Sequence, residues 1–177
     1  MALSDSLHDR EALPLLDGER LLLRPVCADD AAALTDILTE PEVARWWGRN
    51  DIDSVREEMR AQPSFVIVVD GAVAGWLHVH EETDPDYPSV AIDSALTTAV
   101  HGEGYAQEAL RVSIRHFIDR GHHRFTIDPA VDNERAVRCY AAVGFKPVGV
   151  LRAYERAPDG RWRDGLLMDL LADEFNG

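Results

Sequence analysis

Cysteines and long apolar runs are scarce in this 177-residue sequence. Cys27 and Cys139 are its only cysteines, too few and too far apart to suggest a disulfide framework or a Cys-x-x-Cys metal site. No apolar stretch approaches the length of a membrane-spanning helix, and the N-terminus lacks the basic-then-apolar pattern of a signal peptide. These absences argue against a disulfide-rich secreted protein and a membrane-spanning one, and we expect the protein to stay in the cytoplasm.

Basic residues are also scarce. Lys and Arg total 18 against 32 Asp and Glu, which gives a formal net charge of −14. Because proteins that bind nucleic acid need a basic surface, this balance argues against a nucleic-acid partner. An acidic protein attracts a small polycationic substrate electrostatically. Acidity that serves only solubility is nevertheless the commoner explanation of such a charge.

The length favours a single domain with one core. Residues 1–18 show no sustained periodicity and are expected to form an irregular leader, followed by one domain over residues 19–177. The hydrophobic pattern predicts strands at 20–26, 65–69, 73–80, 89–96 and 124–127, and helices at 30–40, 54–61, 106–118 and 133–144. Asp159-Gly160 is expected in the turn between the last two strands.

The segment 89–96 alternates at period 2, which is typical of a strand. Val90 and Ile92 share one face, and Ala91, Asp93 and Ala95 share the other. A carboxylate therefore lies between two small residues that leave room beside it.

The sequence His-Gly-Glu-Gly-Tyr-Ala, at 101–106, then opens a helix. Glycines ahead of a helix let the backbone approach an anion, and the unpaired N–H groups at the N-terminus favour phosphate. No Gly-Lys-Ser/Thr follows, as a P-loop requires, and the G-x-G-x-x-G pattern is absent.

Two spaced motifs resemble the GCN5-related N-acetyltransferase (GNAT) superfamily. Gly104 and Ala106 fit its coenzyme-A loop, Arg/Gln-x-x-Gly-x-Gly/Ala, with His101 at the Arg/Gln position. The segment 132–145 resembles its Asn…Tyr…Gly-Phe segment, and the two motifs occur in the right order.

Further segments are similar to those of the aminoglycoside 6′-N-acetyltransferases within that superfamily. They are Trp-Trp-Gly at 46–48, Glu-Glu-Thr-Asp-Pro at 81–85 and Ile-Asp-Pro at 127–129. The resemblance runs from about Arg20 to Met168. Ala141 departs from it, because an acidic residue is expected there, and this weakens the case for the same substrate range.

The resemblance implies an α+β fold. We expect a mixed, mostly antiparallel sheet of six or seven strands with about four helices. The strands that carry Asp93 and Ile127 should run parallel, joined by the 106–118 helix, and should splay apart to admit the pantetheine arm.

The resemblance also implies acetyl-CoA as cosubstrate. A backbone N–H near Ala95 or Leu96 should bind the thioester carbonyl oxygen, and Asn133 should reach the pantetheine arm. Glu103 places a negative charge beside the phosphate loop, although backbone amides do most of that binding. The residues expected at the cofactor are Ala95, Leu96, His101, Gly102, Glu103, Gly104, Tyr105, Ala106, Gln107, Asn133 and Ala136.

Two catalytic residues are implied as well. An alkylamine is mostly protonated at neutral pH, so a proton must leave before or during attack. Asp93 is expected to take that proton, or to position the ammonium while water takes it. Burial would raise the pKa of Asp93, and a cationic substrate would lower it again. Tyr140 is expected near the thioester sulfur as a donor to the leaving thiolate, with packing as its alternative role.

The acceptor is expected to be a small cationic amine held by acids and a tryptophan face. His78 and His80 share a strand face, but no third ligand follows at suitable spacing, so we expect no metal site. The expected acceptor residues are Trp46, Trp47, Glu81, Glu82, Asp84, Asp93, Asp128 and Asp159.

Three functions compete. The first is acetylation of the aminoglycoside 6′-amine. The second keeps the fold and the cofactor but changes the acceptor to a polyamine, a hydroxylysine-type siderophore precursor or a protein N-terminus. The third is a module that binds acyl-CoA or antibiotic without turnover. The protein is expected to be a monomer or homodimer.

Overall fold

A computed structural model describes residues 13–177. Within them, one eight-stranded sheet has the order β1-β2-β3-β4-β5-β6-β8-β7. Its strands are β1 (Leu16–Asp17), β2 (Leu21–Pro25), β3 (Ser64–Val69), β4 (Ala72–Glu82), β5 (Ser89–Leu96), β6 (Arg124–Ile127), β7 (Lys146–Arg156) and β8 (Trp162–Leu171). The helices are α1 (Ala31–Thr39), α2 (Pro41–Trp47), α3 (Ile52–Ala61), α4 (Tyr105–Asp119) and α5 (Glu134–Val143).

Neighbouring strands in this part of the chain are antiparallel, except for β5 and β6, which run parallel. The α4 helix connects these two strands. The expected α+β fold, with a mostly antiparallel sheet and a parallel pair, is confirmed.

The described residues contain one strand and one helix more than the sequence predicted. The extra strand, β1, lies in the segment predicted to be irregular, and it pairs with β2 by placing Leu16 opposite Leu23. Residues 1–12 of that segment lie outside the described residues. The extra helix is α2: Glu40 leaves the helical region with ψ at 131°, and Pro41 restarts a helix at a position where its missing N–H costs nothing.

Period-2 alternation divides the apolar side chains between the two faces of the sheet. On one face, Phe65 and Leu77 pack in the same cluster as Leu110 and Phe117 of α4. On the other face, Trp76 packs in a second cluster with residues of α1, α2 and α3. Asp93 is opposite His78 in the β4–β5 ladder, so it belongs to the second face.

Phe117 offers a test of the first cluster. Its side chain is fully buried, so Phe117→Ala is expected to lower the free energy of unfolding by about 3–5 kcal/mol, because it removes apolar contacts and leaves a cavity. Tyr87→Ala, at a side chain that is 72% exposed, is the control and should change stability by less than about 0.5 kcal/mol. Urea unfolding of both variants measures the difference. Equal midpoints would contradict the packing described.

Candidate active site

The two parallel strands separate before β5 ends. They pair from Ser89 with Arg124 to Ala91 with Thr126, but β5 continues to Leu96. The gap opens into a cleft with a volume of about 770 Å³. Its walls come from the ends of both strands, α2, the glycine turn before α4, α5 and part of β7.

Strand alternation decides which backbone groups of β5 face this cleft. The N–H of Thr97 donates to the carbonyl oxygen of Ala74 at 2.9 Å, and β5 pairs with β4 without a register shift. Because N–H and C=O of successive strand residues point to opposite sides, Ala95 directs its backbone groups at β4. Ser94 and Leu96 direct theirs at the cleft. Of the two expected donors to a thioester carbonyl, the geometry therefore favours Leu96 over Ala95.

Two glycines shape the turn that precedes α4. Gly102 and Gly104 have φ angles of 83° and 85°, in the left-handed region that glycine adopts at little cost. Gly104 is the N-cap of α4 and makes no side-chain cap, so the first N–H groups of this helix are available to an anion. Arg20 braces the turn by donating from Nη1 to the carbonyl oxygen of Glu103 at 2.9 Å. The Glu103 side chain itself is exposed.

His101 ties this turn to the end of β5. Its Nε2 lies 2.9 Å from the carbonyl oxygen of Leu96, and Arg135 Nη1 lies 2.5 Å from its Nδ1. A guanidinium only donates, so Nδ1 of His101 accepts this hydrogen bond. Nε2 therefore carries the hydrogen and donates a hydrogen bond to the Leu96 carbonyl oxygen. Both ring nitrogens are thus engaged with the protein, and His101 orders the turn rather than offering a free donor to phosphate.

Asp93 lies on the cleft wall. Its side chain is 48% exposed, and it opens on the cleft with protein around the rest of the carboxylate. This burial is the largest cause that raises the pKa of Asp93 to about 6, and the negative charge of Asp128 adds to it. His80, with Nε2 3.9 Å from Asp93 Oδ2, acts in the opposite direction. An aspartate with this pKa is a much better proton acceptor at neutral pH than a free one.

A second carboxylate, Asp128, follows β6 directly. The hydroxyl of Tyr154 donates to Asp128 Oδ2 at 2.6 Å, and this bond, followed by burial, raises the pKa of Tyr154 to about 12. Tyr154 lies in an irregular stretch of β7, where the register against β8 shifts and Ala153 has a φ of 48°. The hydrogen bond fixes the position of the Asp128 carboxylate.

Tyr140 enters the cleft from α5, on the sheet face opposite Asp93. It is 8% exposed, and burial raises its pKa well above the usual range, against a hydrogen bond with Ser94. The phenol therefore stays protonated at every physiological pH. The two sheet faces meet at this point because β5 and β6 have separated.

Trp46 and Trp47, on α2, both line the cleft. Arg163 fixes this helix end: Nη1 donates to the Arg45 carbonyl oxygen at 2.9 Å and Nη2 to the Trp46 carbonyl oxygen at 2.7 Å. Arg163 also donates to Glu155 at 2.6 Å. The guanidinium groups of Arg45 and Arg163 lie over the Trp46 ring, at 4.7 and 5.4 Å from its centroid.

The structure brings all of the predicted cofactor residues to this one cleft. Asn133 uses its Oδ1 to cap α5 by accepting from the Ala136 N–H at 3.3 Å, which leaves its Nδ2 as a donor. The predicted residues that line the cleft are Ala95, Leu96, His101, Gly102, Glu103, Gly104, Tyr105, Ala106, Gln107, Asn133 and Ala136, with Asp93, Tyr140, Trp46, Trp47 and Asp128.

Four predicted acceptor acids are not part of the cleft lining. Glu81 points to the other sheet face, where it accepts from His122 at 2.6 Å. Glu82 bonds the backbone N–H of Asp84 in the same loop, and Asp159 bonds the N–H of Arg161 in the β7–β8 turn. Glu81 alternates with His80 along β4 and so faces away from Asp93.

Several cleft residues were not predicted from the sequence. Arg135 and Arg138 belong to the Asn…Tyr…Gly-Phe segment, so their position within that motif could have indicated that they lie near the cofactor. Tyr154, Glu155 and Arg163 carried none, since their place depends on the β7 irregularity and on contacts more than a hundred residues apart in sequence.

No group of three metal-ligating side chains is found among residues 13–177. None of the helices in that range is long and apolar enough to cross a lipid bilayer.

Comparison with known proteins identifies the family. A family model described as "Acetyltransferase (GNAT) domain" matches residues 20–146. The chain belongs to the GNAT acetyltransferase family. The expected resemblance is therefore confirmed.

Individual relatives of this acetyltransferase differ in their acceptors. It is 27% identical over 167 residues to aminoglycoside N(6′)-acetyltransferase type 1 of Klebsiella pneumoniae, covering 81% of this chain and 80% of the relative. Among solved structures it is similar to Mycobacterium smegmatis RimJ in complex with CoA-disulfide, with 26% identity, a TM-score of 0.82 and coverage of 93% of this chain and 90% of the other. A Vibrio cholerae spermidine N-acetyltransferase in complex with CoA and spermine shares the fold, with 19% identity, a TM-score of 0.77 and coverage of 89% and 99%.

The cosubstrate of this acetyltransferase is acetyl-CoA, and the residues present fit it. The open N-terminus of α4, preceded by two glycines in the left-handed region, suits a pyrophosphate. The unpaired edge of β5 offers backbone donors to an extended amide-containing arm, as a neighbouring strand would.

Proposed function

We propose that this acetyltransferase acetylates the 6′-amine of aminoglycosides by direct transfer in a ternary complex. The observation that carries the proposal is that the carboxylates of Asp93 and Asp128 both line the cleft. The surroundings of Asp93 raise its pKa, and the Tyr154 hydroxyl holds the Asp128 carboxylate in place. Two acids on the acceptor side suit an ammonium group on a polar scaffold, and the tryptophans that line the same cleft suit an apolar sugar face. The similarity to the Klebsiella enzyme over four fifths of its length supports the same acceptor class.

The proton of the acceptor ammonium passes to Asp93 in this proposal. Acetyl-CoA supplies an acetyl group on a thioester when it is bound. The carboxylate of Asp93 binds the ammonium, accepts one proton at Oδ1 or Oδ2, and leaves a neutral amine beside the β5 edge. Asp128, held by Tyr154, keeps a negative charge close by, which stabilises the cationic form until transfer.

Two further groups serve the acyl transfer. The Leu96 N–H, directed at the cleft, is positioned to donate to the carbonyl oxygen on which negative charge develops. Tyr140 holds its phenolic proton and can pass it to the leaving thiolate, and the phenolate regains a proton from the nitrogen, which must lose its second proton as the amide forms. Because a thiol with a pKa of about 8.5 leaves without much help, the contribution of Tyr140 is modest.

A smaller amine, such as a polyamine, is the second candidate acceptor. Glu81, Glu82, Asp84 and Asp159 lie outside the cleft lining, so fewer acids are available for a substrate with several ammonium groups than the sequence suggested. The fold shared with a spermidine N-acetyltransferase is compatible with this acceptor.

Thiol release from acetyl-CoA against an acceptor panel tests the proposal. The panel holds kanamycin, a 6′-hydroxy aminoglycoside, spermidine, an N-hydroxylysine analogue and a short peptide. Turnover with kanamycin and none with the 6′-hydroxy compound is expected. Turnover on another acceptor alone would overturn the aminoglycoside assignment, and silence across the panel with acetyl-CoA still bound would favour a binding module.

The pH dependence of kcat/KM follows from the state of Asp93. The group must be unprotonated to accept the proton, and its pKa is raised to about 6. Activity should therefore be retained above that pH and fall about tenfold per unit below it. An initial-rate series from pH 4.5 to 8 at saturating acetyl-CoA measures this limb. A rate that stays level from pH 8 down to pH 5 would show that Asp93 does not titrate as described.

A further inference from the structure

His80 lies close to Asp93 but outside the cleft lining. Both side chains belong to the same sheet face, since Asp93 is opposite His78 and His80 is opposite Ala91 in the β4–β5 ladder. His80 Nε2 is 3.9 Å from Asp93 Oδ2. Among the described residues that line the cleft, Asp93 is present and His80 is not. The imidazole is therefore on the outer side of the carboxylate.

The outer side of His80 reaches solvent. The β3 strand begins at Ser64, opposite His78, so β4 continues past the end of its β3 partner at His80. The His80 side chain is accordingly 44% exposed. A path from Asp93 to bulk water thus exists that does not pass through the cleft.

Neighbouring groups leave His80 as the titratable side chain suited to this path. His78 is buried between the rings of Trp47 and Trp76, at 5.5 and 4.1 Å between centroids, and burial lowers its pKa to about 4. Glu58, on α3, contacts His78 Nδ1 at 3.5 Å, and burial raises the pKa of Glu58 against the opposing charge of His80. Glu82 lies two residues further along β4, and its side chain accepts a hydrogen bond from the backbone N–H of Asp84 in the loop that follows.

We propose that His80 is a proton relay that carries the acceptor proton from Asp93 to bulk solvent while the cleft is filled. This rests on the proposed function, since it assigns an exit for the proton that Asp93 accepts. A bound acceptor displaces the cleft water that would otherwise take the proton. His80 supplies a route that stays open throughout the reaction.

The proton balance is simple. The acceptor ammonium loses a proton to the Asp93 carboxylate, which becomes a carboxylic acid. A displacement of Nε2 by about 1 Å, through rotation of the half-exposed imidazole, brings it within hydrogen-bond distance of Asp93. The carboxylic acid of Asp93 then transfers its proton to Nε2. The imidazolium then turns its Nε2–H to solvent and loses that proton to water, so that Nε2 can accept again and Asp93 is again a carboxylate.

Chemical rescue tests the relay. His80→Ala should lower kcat by about tenfold, with the KM for acetyl-CoA unchanged, and added imidazole should restore most of the loss. His123→Ala, at an exposed histidine remote from the cleft lining, is the matched control and should show neither the loss nor the rescue. The acceptor is whichever amine the wild-type enzyme turns over. Full activity of His80→Ala, or a loss that imidazole does not restore, would overturn the relay.

A measurement without turnover separates this idea from the proposed function. The positive charge of His80 lowers the pKa of Asp93, so His80→Gln should raise it, as followed by the ¹³C signal of the Asp93 carboxylate during a pH titration. An unchanged Asp93 titration would refute the coupling even if no acceptor were found. An acceptor other than an aminoglycoside would overturn the aminoglycoside assignment and leave the relay to be decided by these two experiments.

Discussion

Asp93→Asn is expected to lower kcat with the acceptor amine by about 10²–10⁴-fold, which is the range that a positioned general base contributes. The amide keeps the shape of the side chain but neither accepts the proton nor attracts the ammonium. The KM for acetyl-CoA should change little, because the cofactor residues belong to the β5 edge, the glycine turn and α5. Steady-state rates with each substrate varied in turn give both numbers. The acid limb near pH 6 should disappear in the variant.

Asp159→Asn is the matched control for this substitution. Asp159 is an acid that the sequence also placed at the acceptor, but the structure puts it in the β7–β8 turn, where it accepts a hydrogen bond from the Arg161 N–H. An asparagine oxygen accepts that bond equally well, so activity should stay within twofold of the wild type. Turnover of Asp93→Asn at the wild-type rate would show that this carboxylate neither accepts the proton nor positions the amine.

Gly104→Trp is expected to raise the Kd for acetyl-CoA by about 10–100-fold, which corresponds to the loss of one charged hydrogen bond worth about 1.5–3 kcal/mol. Gly104 has a φ of 85°, and a side chain there disfavours the backbone geometry that opens the α4 N-terminus. An added Cβ would lie 3.3 Å from Arg20 Nη2, the guanidinium that braces the turn. Isothermal titration with CoA measures the change.

Gly121→Trp controls for the strain itself. Gly121 follows the other end of α4 with a φ of 97°, and a Cβ there meets no atom within 4 Å. The two variants carry the same side chain at comparable backbone angles, so both should lose a similar amount of stability. Only Gly104→Trp should lose affinity for CoA. Equal affinities in the two variants would contradict the assignment of the turn to the cofactor.

The family resemblance and local patterns together pointed to a set of cofactor residues that the structure brings to one cleft. The period-2 pattern around Asp93 and the glycines at 102 and 104 both reflect short-range constraints, on alternation and on backbone angle. They are therefore readable without a fold. The same locality explains why the pattern does not predict α2: a proline ends the preceding helical pattern, but proline also serves at the first position of a new helix, as Pro41 does.

The acceptor side could not be predicted to the same depth. Glu81 and Asp159 were selected for charge and family resemblance, yet their direction depends on which sheet face or turn they occupy. Tyr154 approaches Asp128 because the register of β7 against β8 shifts between Leu151 and Glu155. No residue type in that stretch predicts a register shift. Ala95 and Leu96 are adjacent in sequence, and only the β4 pairing shows which one faces the cleft.

The bonds from Arg163 to the end of α2 also bear on the order in which the active site is assembled during synthesis. The two bonds span sequence separations of 118 and 117 residues. In addition, β8 is inserted between β6 and β7 although it is synthesised last. Contacts of such long sequence separation form late, because loop closure must precede them. A nascent chain that has emerged from the ribosome as far as α5 already has the segments that line the cofactor side. The end of α2 that carries the two tryptophans, by contrast, is fixed only once Arg163 on the final strand has been made, so the acceptor side of the cleft is completed last.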